Sequence, residues 1–152
     1  LEAGGYVEAK MYSGNVYGTS VSEIQTAHDT GKVAITDIEV QGVAEYKGIS
    51  DNVIAVFVLP PDYESWQQRL KKRYGTHEID PTDLEKRMQT AVTELESALE
   101  YPYYHFVVND DLERAVAVID KIAHNHDAFN EKDEQVRHQA ETLLKTLRNS
   151  AQ

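Results

Sequence analysis

Val53-Ile54-Ala55-Val56-Phe57-Val58-Leu59, followed by Pro60-Pro61-Asp62, decides the fold. Seven apolar residues in a row, mostly β-branched, leave no polar face, so the run predicts a strand covered on both sides. The proline pair stops it. Asp62 can cap a following helix that carries Trp66, Arg69, Leu70 and Arg73. Tyr103 to Val108 reads as a second such strand, and Val33-Ala34-Ile35 as a shorter one ending at Asp37. Asp80-Pro81 starts another helix with proline at its first position. Leu84, Met88, Ala91, Val92, Leu95 and Ala98 then recur at helical spacing, as do Leu112, Ala115, Val116, Ile119 and Ile122. Ser20 and Glu23 have capping-box spacing for a helix reaching Gly31. Gln41 to Tyr46 predicts a short helix closed by Gly48. Strands alternating with helices predict an α/β fold, a three-layer α/β/α arrangement around a mainly parallel sheet.

A chain of 152 residues is long enough for one domain with a real core. Its net charge of −11 argues against a binder of nucleic-acid polymers, which needs a broad basic surface. The absence of cysteine excludes disulfides, thiolate zinc sites and cysteine nucleophiles. No apolar run approaches the roughly 20 residues of a membrane span, and no secretion signal opens the sequence. The expectation is a cytoplasmic protein with no membrane partner. Glu131 to Arg148 is strongly charged, with Val136, Ala140, Leu143, Leu144 and Leu147 along one side. That side suits packing on the domain; the sharper alternative is a homodimer contact.

Five further features occur in order: Ser13-Gly14-Asn15-Val16-Tyr17-Gly18-Thr19-Ser20, then Thr36-Asp37-Ile38-Glu39-Val40-Gln41-Gly42, then Val58-Leu59-Pro60-Pro61, then Arg69, Arg73 and Arg87, then Val108-Asn109-Asp110-Asp111. Together they resemble the guanylate kinase family, nucleoside monophosphate kinases of the P-loop NTPase fold. The resemblance implies phosphoryl transfer from ATP to GMP, giving ADP and GDP, with Mg2+. It also implies a guanylate-kinase-like domain over 1–128, with 1–32 in the GMP-binding region and 69–87 in the lid. Residues 129–152 then form a separate C-terminal helix.

Guanine presents two adjacent donors, N1–H and the N2 amino group, and carboxylates match them; adenine lacks that pair. By resemblance, Glu8 and Glu39 read the base, Thr19 contacts it through its hydroxyl, and Tyr17 contacts the GMP phosphate. Gly18 supplies the turn that places them, as does Gly14. Glu39 stands where the family commonly has aspartate. Taken singly, Glu8 and Glu39 would read as solvated carboxylates. Arg69 and Arg73, four apart on one helix, share a face. With Arg87 they match lid arginines that grip phosphates, a task suited to the planar guanidinium fork. Without their neighbours they would be solvent-facing helix residues. The Arg73-to-Arg87 connection is longer than the family norm and carries His77, Glu78, Ile79 and Asp80. Asp37 resembles an aspartate that organises the phosphate site or supports magnesium through water. Asn109 matches a contact to ATP, as do Arg69 and Arg73, while Asp110 is a candidate cap for the next helix. His124, His126 and Asp127 are compactly spaced, but surface histidines are the plainer reading. Tyr101, Tyr103 and Tyr104 predict aromatic packing.

No Gly-x-x-x-x-Gly-Lys-Ser/Thr loop occurs in the sequence, although the family needs one to cradle ATP phosphates. The expectation is a domain incomplete at its N-terminus and inactive alone, with the sheet missing a central strand. A fragment beginning at Leu1, a strand supplied by another chain, and a rearranged sheet are the three explanations, the first being favoured. The alternative function is a non-catalytic guanylate-kinase-like module that binds phosphopeptides or protein partners.

Overall fold

The computed structural model describes residues 6–12, 15–75, 79–124 and 131–150. Ser13, Gly14, His77, Glu78, His126 and Asp127 lie outside them. The chain divides into two compact units, 1–53 and 54–152.

In the first unit, β1 (Tyr6–Tyr12) and β2 (Asn15–Ser20) form an antiparallel hairpin. Ser20 ends β2 and caps α1 (Val21–Asp29): its hydroxyl accepts from the Glu23 N–H at 3.2 Å. The hydroxyl in turn donates to the Glu23 carboxylate at 3.1 Å. α2 (Val40–Ile49) packs on β1 and buries Gly42 and Tyr46. It passes through Gly48 and ends at Ser50, so the glycine does not stop it.

The expected strand at Val33-Ala34-Ile35 is not formed. Residues 32–39 carry no regular structure, and Val33 and Ile35 are 54% and 86% exposed. A strand needs a neighbour to take its N–H and C=O groups. In the first unit β1 and β2, its described strands, take each other.

The second unit is built on β3 (Ala55–Leu59) and β4 (Tyr104–Val108), paired in parallel from Ala55 with Tyr104 to Leu59 with Val108. Parallel strands need a long crossover, supplied by α3 (Tyr63–Tyr74) and α4 (Pro81–Glu100). The Asp62 carboxylate accepts from the Ser65 N–H at 2.7 Å, which starts α3 and holds that carboxyl below the usual value. Asp80 caps α4 through the Thr82 N–H at 2.8 Å, with Pro81 at the first turn. Pro102 keeps Tyr101 extended and ends α4.

The two-residue strand period sorts the side chains. Val107 packs with Ala115 and Ile122 of α5 (Leu112–His124), joined by Ile54, Val56 and Ile119. On the opposite face Phe57 meets Tyr104 and Phe106 at centroid distances of 6.3 and 5.8 Å. Tyr101 stacks on Tyr103, and Tyr103 meets Tyr104 at a tilt, the aromatic packing expected. The second unit thus has helices on both faces of a parallel pair, the expected α/β class.

α6 (Glu131–Ser150) packs on α4 and β4. Its apolar side, Ala140, Leu143, Leu144 and Leu147, is buried inside the unit. Of the two readings of that side, packing takes it. Arg137 lies 5.3 Å from the Phe106 ring centroid and donates to the Leu99 carbonyl. Arg148 donates to one Glu96 carboxylate oxygen from Nε at 2.9 Å and Nη2 at 2.5 Å. That pair is half-exposed, so it contributes at most about 1 kcal/mol. Each buried leucine contributes roughly 1.5–3 kcal/mol. The leucines therefore fasten α6.

Leu147, 2% exposed, should cost about 2–5 kcal/mol on substitution by alanine, and Arg148→Ala about 1 kcal/mol or less. Denaturant unfolding measures both; the reverse ranking would show that the ion pair holds the helix. A second expectation concerns Tyr104, whose buried hydroxyl has no hydrogen-bond partner among the described residues. Burial pushes its phenol from 10.0 up to about 12. The neutral phenol's contribution is complete below the unfolded value of 10.0 and is lost as pH rises through about 12. Tyr104→Phe should therefore be no less stable at neutral pH and lose less stability than the parent between those limits. A variant that unfolds in parallel with the parent across that range would contradict this.

Candidate functional site

In the first unit the hairpin register sets Glu8 directly opposite Thr19, Ala9 opposite Gly18 and Lys10 opposite Tyr17. Two of the expected base-reading residues are thereby cross-strand partners, although 11 positions separate them in sequence. The register shifts between Tyr6 and Glu8, so the strand reaches Glu8 through an irregularity. Thr19 is half-buried. Glu39 stands immediately before α2, the helix that packs on the strand bearing Glu8. Its carbonyl accepts from the Val43 N–H at 3.1 Å. The elements carrying Glu8, Thr19 and Glu39 thus belong to one packed unit.

Asp37 differs from expectation in its setting. It lies exposed within the irregular 32–39 segment rather than at a strand's end. Among the described residues no group of three or more histidine or carboxylate side chains could hold a metal ion.

In the second unit Arg69 and Asn109 meet. The Arg69 Nη2 donates to the Asn109 carbonyl at 2.6 Å across 40 residues of sequence. The Asn109 N–H donates to the Leu59 carbonyl at 2.8 Å. Asn109 thus extends the parallel ladder one step past β4, at the carboxyl ends of both strands. Open α/β sheets bind ligands in the crevice at those ends. Arg73, one helical turn further along α3, is exposed.

Arg87, on α4, donates from Nε to the Tyr74 hydroxyl at 2.5 Å, with its guanidinium carbon 5.3 Å from the ring centroid. Tyr74 is the last residue of α3, and Gly75 then turns the chain at φ 65°, where a side chain would be strained. The sequence reading missed Tyr74. The available signal was an aromatic residue wedged between Arg73, an expected lid residue, and the glycine turn at Gly75.

The helix after β4 is capped one residue later than expected. Asp111, rather than Asp110, accepts from the Arg114 N–H at 2.9 Å. The helix begins at Leu112, so the residue whose carboxylate lies three before a free N–H is Asp111. Asp110 instead forms a close ion pair with the Arg114 side chain. His105, in β4, lies beside an acidic side chain. Its Nδ1 lies 3.7 Å from the Asp133 carboxylate, with both side chains largely buried at 14% and 13% exposure. His28, His124 and His138 lie exposed beside acidic residues on their own helices. Among the described residues no helix is long and apolar enough to cross a membrane.

A family model described as guanylate kinase matches residues 1–126. The chain is 37% identical over 122 residues to a guanylate kinase of Bdellovibrio bacteriovorus, covering 80% of this chain and 63% of that protein. It is 32% identical over 146 residues to a guanylate kinase of Alkalilimnicola ehrlichii, covering 96% and 66%. Guanylate kinase 1 of Oryza sativa is 36% identical over 123 residues, covering 80% and 31%. The chain thus spans less than two thirds of the length of these relatives.

Proposed function

This chain belongs to the guanylate kinase family, and from that premise we propose that it carries the base-reading hairpin and phosphate-gripping lid of an enzyme that transfers a phosphoryl group from ATP to GMP. The contact between Arg69 and Asn109 at the carboxyl ends of the parallel strands is the observation that carries this reading. Two residues singled out for ATP, 40 apart in sequence, meet where an α/β sheet offers its crevice.

Glu8 and Glu39 accept the N1–H and N2–H donors of guanine, Thr19 adds a hydroxyl contact, and Tyr17 donates to the GMP phosphate. Gly18, expected in a turn, lies instead within β2 between Tyr17 and Thr19, opposite Ala9. Arg69, Arg73 and Arg87 close over the phosphates, exclude water and spread the negative charge that redistributes during in-line transfer. Arg69 leaves the Asn109 carbonyl or shares its five N–H donors between that carbonyl and a phosphate oxygen. ATP arrives with magnesium in this family. Asp37 would support that ion through water, and the ion would neutralise phosphate charge. The reaction is proposed to run in the cytoplasm, a reducing compartment with which a chain free of cysteine is compatible.

These 152 residues hold no Gly-x-x-x-x-Gly-Lys-Ser/Thr loop, and the chain by itself is proposed to be inactive. In its two-stranded sheet β3 has β4 on one side and no strand on the other among the described residues. A strand leading into a phosphate loop would pair along that second edge of β3. The exposed apolar residues Val33 and Ile35 then have a reason to be apolar: 33–36 becomes a strand when a neighbour is supplied.

The test is formation of GDP from ATP and GMP with magnesium, by the complete gene product that contains this chain and by the 152 residues alone. Turnover is expected in the first and none in the second. In the complete product Arg69→Met should lower kcat by about 10²–10³-fold, and Glu39→Ala should raise the KM for GMP by about 10-fold or more. A complete product that binds phosphorylated peptides and makes no GDP would replace this reading with the binding module.

A further inference from the structure

We propose that Tyr74 is a positioning residue for Arg87, presenting the guanidinium end-on to a phosphate; this rests on the lid reading above. The Tyr74 hydroxyl accepts the Arg87 Nε–H at 2.5 Å, and the guanidinium carbon lies 5.3 Å from the ring centroid, within cation–π reach. The contact joins the last residue of α3 to the second turn of α4 across the Gly75 turn. Tyr74 is half-buried and Arg87 exposed. The ring is therefore the less mobile partner, and the arginine is the one that faces water.

A guanidinium has five N–H donors in one plane. The hydroxyl consumes the one on Nε, which closes the side-on fork made by Nε and its neighbouring Nη. The four donors on Nη1 and Nη2 stay available, and their spacing matches two oxygens of one phosphate. An arginine held this way has lost its rotamer freedom before the ligand arrives, so binding does not have to order it. The hydroxyl does the orienting, because it alone engages Nε. Tyr74 touches no substrate in this account and acts only through Arg87.

Turnover by the complete gene product separates the outcomes. Tyr74→Phe keeps the ring and removes the acceptor. It should lower kcat roughly 3- to 10-fold, the scale of ordering one long side chain, with the KM for GMP changed less than about twofold. In an Arg87→Met background the same change should have no further effect, which a merely structural tyrosine would not show. Slowed hydrogen exchange at the Arg87 Nε–H, lost in Tyr74→Phe, is the expected companion signal. Unaltered kcat in Tyr74→Phe, or an equal loss with and without Arg87, overturns the proposal while leaving the lid reading intact. If Arg87→Met itself leaves kcat unchanged, Arg87 is no lid residue and the role of Tyr74 falls with it. If the complete product makes no GDP at all, the function proposed above fails and takes this inference with it.

Discussion

The parallel pairing of β3 with β4 is the constraint on which the second unit depends. It fixes the level at which Leu59 and Val108 end. One more ladder bond, from the Asn109 N–H to the Leu59 carbonyl, holds the chain where it leaves β4. That bond points the Asn109 carbonyl at α3, and Arg69 takes it. A short parallel pair is weak on its own. Here helices cover both faces, with α5 packed over Val107 and α6 reaching β4 with Arg137 over Phe106. Stability and site are thus set by the same few strand residues.

The first unit shows the opposite condition. Its hairpin is complete because two adjacent strands satisfy each other. The 33–36 run has strand composition but no described neighbour in its unit, and it remains irregular. The difference is one of partners, since β-branched side chains favour a strand only where backbone groups can also pair. Asp37 inherits this condition, because its expected place at a strand's end requires the strand.

Local chemistry was legible in the sequence wherever it closes within a few residues. The Ser20 and Glu23 box, the Asp62 cap, the Asp80-Pro81 start and the α4 periodicity all concern one turn or one helical face, and each lies where it was read. The all-apolar run at 53–59 announced β3, although its cover is uneven: Ala55 and Leu59 are buried while Val58 is 48% exposed. What escaped depends on distance or on a single-residue offset. Asp110 and Asp111 are equally good caps by type, and only the helix's first residue chooses between them. The leucine side of α6 has the same pattern whether its partner is α4 or another molecule, so composition could not decide. Of the candidate site, the register of Glu8 with Thr19 follows from a hairpin that the sequence did not identify as one. The pairing of Tyr74 with Arg87 needs the geometry of a turn that spans two helices.

A crystal structure of the complete gene product with GMP and a non-hydrolysable ATP analogue tests the central claim most directly. The account predicts guanine held between the carboxylates of Glu8 and Glu39 and guanidinium groups of the lid on phosphate oxygens. Guanine bound away from both carboxylates, or Arg69, Arg73 and Arg87 all directed away from every phosphate, would contradict it.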